Sequence, residues 1–504
     1  MNKMRNVLNL AALITAVLVF CSCCKPKERE LPPVNPADFD RYTKDMTFHS
    51  SILRETVCYS VLLPADYTQD TTKRYPVVYM LHGYGDNNNS WNGNYLHAND
   101  KIQSLESKGM GDMIYVFPRG FNSYYCNTYD GKYRYMDMFV EELVPYIDKS
   151  LRTIPDRNHR SITGYSMGGF GAMVLAEKHP EVFLCSAPLS MSFRTDKQYM
   201  SESMNGWNGQ WGSIFGGIGE AGEGRLTPYY REHCPYYQFT PANAATLSQV
   251  KWYFTCGDDE EQLLIANDSL HVQLCQMDFA HEFRVADGAH TSTYWMEALN
   301  EVLPMFWYYM NGGNRWAGIN MNVPSVPEVT FAEDGTLASE VFKNDGKGTA
   351  VYFVFDHADA EVVREAMALI YKKSSSFGYI YLPCDLSVRS FAEWREYWAG
   401  QYDCANFQAA AFGDAALDVW SHSTGIRKFY LVDPLLGEDI IADSEKQYIF
   451  VGSDEAEHCA DMAALYRSCK ANEAKYEYRV INATGNRHDD ILRSIETIKQ
   501  HFIY

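Results

Sequence analysis

Three observations predict an α/β fold, a mostly parallel sheet flanked by helices. Short apolar runs such as Val77-Val78-Tyr79-Met80-Leu81 and Met113-Ile114-Tyr115-Val116-Phe117 have the character of strands buried on both faces of a sheet. Segments with helical spacing alternate with these runs. The pattern then recurs in the second half of the 504 residues, a length that calls for two or three domains.

The chain opens with Lys3 and Arg5, an apolar run from Val7 to Phe20, and Cys21-Ser22-Cys23-Cys24. The run is short for a membrane span and reads as a signal peptide. A cysteine at its end resembles a bacterial lipoprotein signal, so Cys23 or Cys24 is the expected lipidated N-terminus. Residues 1–23 are then the signal and 24–44 a proline-bearing tether, which implies export and attachment to a bacterial envelope by a lipid anchor alone. The formal net charge of −20 argues against a nucleic-acid partner. Of the 13 cysteines three lie in this segment, and the rest are scattered without metal-ligand spacing or a disulfide ladder. No cofactor is expected, and no metal.

From residue 45 the elements follow in order. Extended runs up to Leu63 end at Pro64, and the buried strand ending at Leu81 stops at His82-Gly83-Tyr84-Gly85. Glycines just past a central strand let backbone N–H groups approach a ligand. A strand through Phe117 and a helix over 137–148, with Met138, Phe139, Leu143 and Ile147 on one face, come next. Ile162-Thr163-Gly164-Tyr165-Ser166-Met167-Gly168-Gly169-Phe170-Gly171 then leads into the helix-prone Ala172-Met173-Val174-Leu175-Ala176. Strand, Gly-x-Ser-x-Gly turn and helix in that order describe a nucleophile elbow, with Ser166 at a helix N-terminus where negative charge is favoured. The N–H groups of Met167 and Tyr84 are the expected oxyanion hole.

Residues 190–240 break the rhythm with glycine and aromatics, and read as a lid or insert. Trp207, Trp211 and Tyr229, together with Gly83, are the candidate substrate-binding residues. A strand through Cys256-Gly257 precedes Asp258-Asp259-Glu260-Glu261, where an acid is needed, and Asp259 and Glu260 are both candidates. His290 follows the last strand, where an imidazole can reach Ser166. His271 and His281 read as helix and strand-edge residues.

Tyr79-Met80-Leu81-His82-Gly83, the Gly164–Ala172 elbow, Cys256-Gly257-Asp258-Asp259 and Gly288-Ala289-His290 with Tyr294-Trp295 resemble the esterase D superfamily over about residues 45–310. That group includes S-formylglutathione hydrolase, the feruloyl and acetylxylan esterases of carbohydrate esterase family 1, enterobactin esterase and mycolyltransferase. The resemblance implies an α/β-hydrolase fold. It also implies an Asp three residues after the strand glycine; this chain departs from that pattern with Glu260 there and Asp259 just before it, so spacing favours Glu260 and residue type favours Asp259.

Beyond a linker at 312–345, residues 346–504 echo the catalytic domain at 45–311. Tyr253-Phe254-Thr255-Cys256-Gly257-Asp258-Asp259-Glu260 matches Tyr448-Ile449-Phe450-Val451-Gly452-Ser453-Asp454-Glu455, and Phe283-Arg284-Val285 matches Tyr478-Arg479-Val480. This alignment sets Gln408 against Ser166 and Asp356 against Gly83, so the second copy is read as degenerate and non-catalytic. A β-sandwich carbohydrate-binding module is disfavoured by the strand–helix alternation. The sequence therefore predicts an exported serine esterase acting on acetyl or feruloyl esters of plant polysaccharide. The alternatives are a siderophore or other small-ester hydrolase, and a surface glycan-binding protein with incidental esterase activity.

Overall fold

The computed structural model describes residues 40–504 apart from 94, 315–322, 338–347, 375–377, 455 and 503–504. The signal segment with Cys23 and Cys24, most of the tether and part of the linker lie outside the described residues. In chain order the strands of the first half are β1 (Tyr42–Ser50), β2 (Glu55–Leu62), β3 (Val77–Leu81), β4 (Ile114–Pro118), β5 (Arg160–Tyr165), β6 (Cys185–Leu189), β7 (Lys251–Gly257) and β8 (Glu282–Ala286). Those of the second half are β9 (Thr349–Phe355), β10 (Tyr379–Asp385), β11 (Asn406–Phe412), β12 (Ile426–Val432), β13 (Gln447–Ser453) and β14 (Lys475–Ile481). The helices that matter below are α1 (Met167–Lys178), α2 (Glu261–Gln276), α3 (Ser292–Met310), α4 (Ala415–Ser421) and α5 (Ala456–Ala471).

The described strands form one 14-stranded sheet in the order β1-β2-β4-β3-β5-β6-β7-β8-β14-β13-β12-β11-β9-β10. Every residue of β3, β4, β5 and β6 is buried, which is what continuous apolar strands between two helical layers require. Alternate side chains of each strand feed opposite faces. Val77, Tyr79 and Leu81 join a core that runs through both halves, whereas Val78 and Met80 join a separate core under α3. The antiparallel contacts are β1 with β2, β2 with β4, and β8 with β14.

The second half runs β10-β9-β11-β12-β13-β14, the same order as β4-β3-β5-β6-β7-β8 in the first. Backbone hydrogen bonds fix which residues correspond. Ser166 has φ 57° and its N–H donates to the Leu189 carbonyl; Gly413 has φ 56° and its N–H donates to the Val432 carbonyl. Ser190 (φ 47°) donates to Thr255, as Asp433 (φ 45°) does to Val451. Gly413 therefore stands where Ser166 stands, just before α4, and Gln408 lies inside β11. The sequence match that sets Gln408 against Ser166 is therefore corrected by five residues, the apolar alanines of β11 resembling the apolar start of α1.

The halves meet at the edges of β8 and β14, with Val285 opposite Val480. Arg284 Nη1 reaches Asp454 of the second half at 2.7 Å, and Arg479 Nη1 reaches Asp258 of the first. Asp258 accepts the Gly288 N–H and Asp454 the Ala483 N–H. Each arginine also pairs with the glutamate two residues before it, Glu282 or Glu477. Corresponding residues meet across the seam as they do at an isologous interface.

The helix expected over 137–148 is found at 135–150, with Met138, Phe139, Leu143 and Ile147 buried and a widened π turn over Met138–Leu143. Residues 190–240 form a run of short helices rather than an irregular lid. The described cysteines are all free and, Cys58 apart, buried. Among the described residues no helix is long and apolar enough to cross a membrane.

Candidate active site

The elbow is built by close approach. β5 delivers the chain to Ser166, whose φ of 57° and ψ of −118° are costly for a residue with a Cβ, and α1 begins at Met167. A Cβ on Gly168 would collide with the carbonyls of Leu81 and His82, and one on Gly164 with the Gly168 carbonyl. Ser166 is only partly buried, so its Oγ stands free at the C-terminal edge of the sheet.

His290 comes from the loop between β8 and α3. Its Nε2 lies 2.9 Å from Ser166 Oγ, and its Nδ1 lies 2.7 Å from Glu260 Oε2. Glu260 caps the start of α2 and its side chain is fully buried. Its other oxygen accepts the Gly257 N–H at 2.9 Å and the Ser190 hydroxyl at 2.5 Å. Ser190 in turn accepts the Trp295 indole N–H at 2.9 Å. The Trp295 ring stacks on Tyr165, the residue before the serine, at 4.3 Å, and meets His290 edge-on at 5.0 Å. A carboxylate held by three donors cannot turn away from the imidazole. An acceptor at Nδ1 fixes the tautomer that leaves Nε2 able to take the serine proton.

Asp259, the other candidate acid, is exposed, and its side chain is not brought to His290. Asp258 is committed to Arg479 and the seam, and burial raises its pKa to about 6. The carboxylate that meets His290 is thus the one at the spacing the resemblance implies, Glu260, and not the neighbouring Asp259. Ser190 escaped sequence reasoning: it lies 70 residues from Glu260 in sequence, and nothing local marks a serine of positive φ after a strand.

The turn after β3 emerges beside the elbow, because Leu81 pairs with Gly164. His82 is its anchor. Its Nδ1 meets the Gly83 carbonyl at 2.8 Å and its Nε2 accepts the Gly120 N–H at 2.8 Å, so the ring is neutral, and burial lowers its pKa to about 4. Gly85 N–H is held by Asn122, which leaves Tyr84 between two fixed residues. Gly83 packs on the Tyr165 ring, where a Cβ would not fit. Met167 is the first residue of α1, so its N–H has no acceptor within the helix.

The expected aromatic wall is corrected. Trp207 and Trp211 are completely buried. Trp207 donates its indole N–H to the carbonyls of Gly216 and Gly217, and Trp211 stacks on Phe215 and Tyr124. Arg225, also buried, binds the carbonyls of Tyr199, Met200, Glu202 and Glu220 beside the Trp207 ring. These side chains are the core of the insert, because clustered aromatics without helical period still bury large areas when layered. Tyr229 is half-buried, with its hydroxyl on the Asn127 carbonyl and its ring on His233.

In the second half Gly413 has no side chain to offer, and His488 faces Glu365 at 3.2 Å. By the pairing of β9 with β11, Asp356 stands opposite Gly83.

The Esterase family model matches residues 50–306, half of the chain. An endo-1,4-beta-xylanase/feruloyl esterase of Xylanibacter ruminicola is 30% identical over 167 residues, 30% of this chain and 23% of that protein. An acetyl esterase of Caldicellulosiruptor saccharolyticus is 26% identical over 152 residues, 29% of this chain and 54% of that protein. This chain thus spans under a quarter of the first relative's length and about half of the second's. A solved ferulic acid esterase is 29% identical with a TM-score of 0.44, covering 53% of this chain and 98% of that one. An S-formylglutathione hydrolase of Staphylococcus aureus is 22% identical with a TM-score of 0.43, covering 54% and 100%. The match over residues 50–306 shows that the chain belongs to the esterase family, here on an α/β scaffold with a mostly parallel sheet flanked by helices.

Proposed function

We propose that the chain is an exported serine esterase that cleaves carboxylic esters through an acyl-enzyme on Ser166. The observation that carries this reading is the hydrogen-bonded chain from Ser166 through His290 to Glu260, at 2.9 and 2.7 Å. His290 Nε2 takes the Ser166 proton as the oxygen attacks the ester carbonyl, then gives it to the departing alcohol. Glu260 holds the imidazole and stabilises its charged form. The N–H groups of Met167 and Tyr84 receive the oxyanion, and water deacylates the serine by the reverse path. The second half is non-catalytic, since Gly413 occupies the place of the nucleophile.

Acetyl or feruloyl esters on plant polysaccharide are the proposed substrates. The support is the activities of the relatives, an endo-1,4-beta-xylanase/feruloyl esterase and an acetyl esterase. Export, with a lipid anchor at Cys23 or Cys24, rests on the sequence of the first residues. The fraction active on acetylated against feruloylated xylo-oligosaccharides decides the acyl group. Ser166→Ala is expected to lower kcat on p-nitrophenyl acetate by at least about a thousandfold and to abolish labelling by a fluorophosphonate probe. Unchanged hydrolysis in that variant would remove the serine mechanism.

A further inference from the structure

We infer that His271, Cys275 and His281 of the first half, joined by Cys459 of the second, form a binding site for a zinc-class divalent cation beneath the seam. His271 and Cys275 lie one turn apart on α2 and so share a face. His281 lies just before β8. A nitrogen of each histidine and the Cys275 sulfur all lie within 4.8 Å of one another. His271 Nδ1 is 2.7 Å from His281 Nε2 and 3.7 Å from Cys275 Sγ. Ordinary zinc bonds in a tetrahedron set nitrogen and sulfur ligands about 3.5 Å apart and two nitrogens about 3.3 Å apart. An imidazole swing of roughly half an ångström would therefore admit the ion.

The surroundings fit that ligand set. His281 Nδ1 meets the Phe279 carbonyl at 2.7 Å, so in the neutral ring Nε2 carries the lone pair. A backbone carbonyl behind a ligating imidazole is the usual means of fixing its tautomer. The His271 ring stacks on Phe283 and the His281 ring on Phe254, which fixes both imidazole planes. Cys459 on α5 is buried and hydrogen-bonded to Cys275, so its thiol stands beside the three-residue cluster. Two S–H bonds are replaced by two sulfur–metal bonds, two protons leave to solvent, and no electron is transferred. Two thiolates, two neutral imidazoles and a divalent cation carry no net charge, which is the condition for burial. The cluster itself supplies three donors, and Cys459, drawn in from its place beside Cys275, would be the fourth that closes the coordination shell; the ion would then be structural and would bind α2 to α5 across the halves.

The test uses the whole chain, purified without a histidine tag. Elemental analysis is expected to find one zinc per chain. Cobalt titration of the chelator-treated protein is expected to give tetrahedral d–d bands with thiolate-to-cobalt charge transfer. Cys459→Ser should keep the d–d bands and lose about half of the charge-transfer intensity, and His281→Ala should weaken binding at least tenfold. Thiol titration in denaturant should count Cys275 and Cys459 as free once the metal is removed. Wild-type protein that holds no zinc and gives no tetrahedral cobalt spectrum overturns the proposal, as does a Cys275–Cys459 disulfide. Wild-type spectra decide the matter even if a variant fails to fold.

Discussion

Ser190 shows how the site depends on one atom that reacts with nothing. Its hydroxyl donates to Glu260 and accepts from Trp295, linking the carboxylate to the ring that packs on Tyr165 and His290. Ser190→Ala leaves Ser166, His290 and Glu260 in place and removes one of the two donors to Glu260 Oε1, the Gly257 N–H remaining. The expected outcome is a kcat reduced about tenfold at unchanged KM. A fall in KM and kcat together would indicate a packing defect instead. Glu177 on α1 is a second residue with a measurable signature. Neither carboxylate oxygen meets a partner among the described residues, and burial raises its pKa from 4.5 to about 8. The folded state therefore binds more protons than the unfolded state between those values, and this group's contribution to stability is lost as pH rises through the window. Glu177→Gln is expected to gain on the wild type progressively from pH 4.5 to 8, by at most about 5 kcal/mol, in urea melts at several pH values. A pH-independent difference would show that the carboxyl is ionised throughout. At this scale the sequence was most legible where chemistry is local in the chain. The glycines around Ser166 and the spacing of Glu260 speak directly, whereas Ser190 and Glu177 acquire their character only from burial and from partners far away in sequence.

Elements explain why the aromatic insert was misread. Tryptophan in a glycine-rich segment without a period reads equally as a wall or as a core, because periodicity reports only faces that regular helices or strands turn inward. Here the short helices of 196–238 wrap Trp207, Trp211, Phe215 and Tyr230 around the backbone of the segment itself. Thr195 and Gln198 close a capping box at the start of this cap, and Tyr230 and Tyr237 both donate to Asp196. Trp207→Ala is accordingly expected to destabilise the protein by about 3–5 kcal/mol, the range for removing a buried tryptophan. The hydrolysis of a small ester per folded molecule should stay within about twofold, since the ring touches packing rather than substrate. Thermal melts paired with active-site titration separate the two; a stable variant with a raised KM would return Trp207 to the substrate wall. The strands, by contrast, were legible almost to their ends, because full burial on both faces demands unbroken apolar runs.

The whole molecule behaves as a dimer written into one chain. β8 ends the first half with an unpaired edge that β14 covers, and buried Arg284 and Arg479 exchange carboxylates across the junction. The short apolar match around Arg284 and Arg479 made the repeat visible in sequence, but the reciprocity of the ion pairs became visible only with both edges in contact. Removing one partner of a buried pair costs about 3–5 kcal/mol, because the remaining charge is left without compensation. A chain ending at residue 311 would expose the β8 edge and strand Arg284 from Asp454 and Asp258 from Arg479 at once. Such a fragment has two outlets. It can pair β8 with a second copy in the manner of β14, since the first half carries both an arginine and an aspartate at corresponding positions of the seam, or it can aggregate through the open edge. The expected result is a fragment that is dimeric or insoluble in sedimentation experiments, whereas the full chain unfolds in one transition followed equally by fluorescence and by loss of esterase activity. Arg284→Met in the fragment should abolish the dimer while leaving Ser166, His290 and Glu260 untouched. A soluble, fully active monomer of 40–311 would show that the seam holds the second half in place without supporting the first.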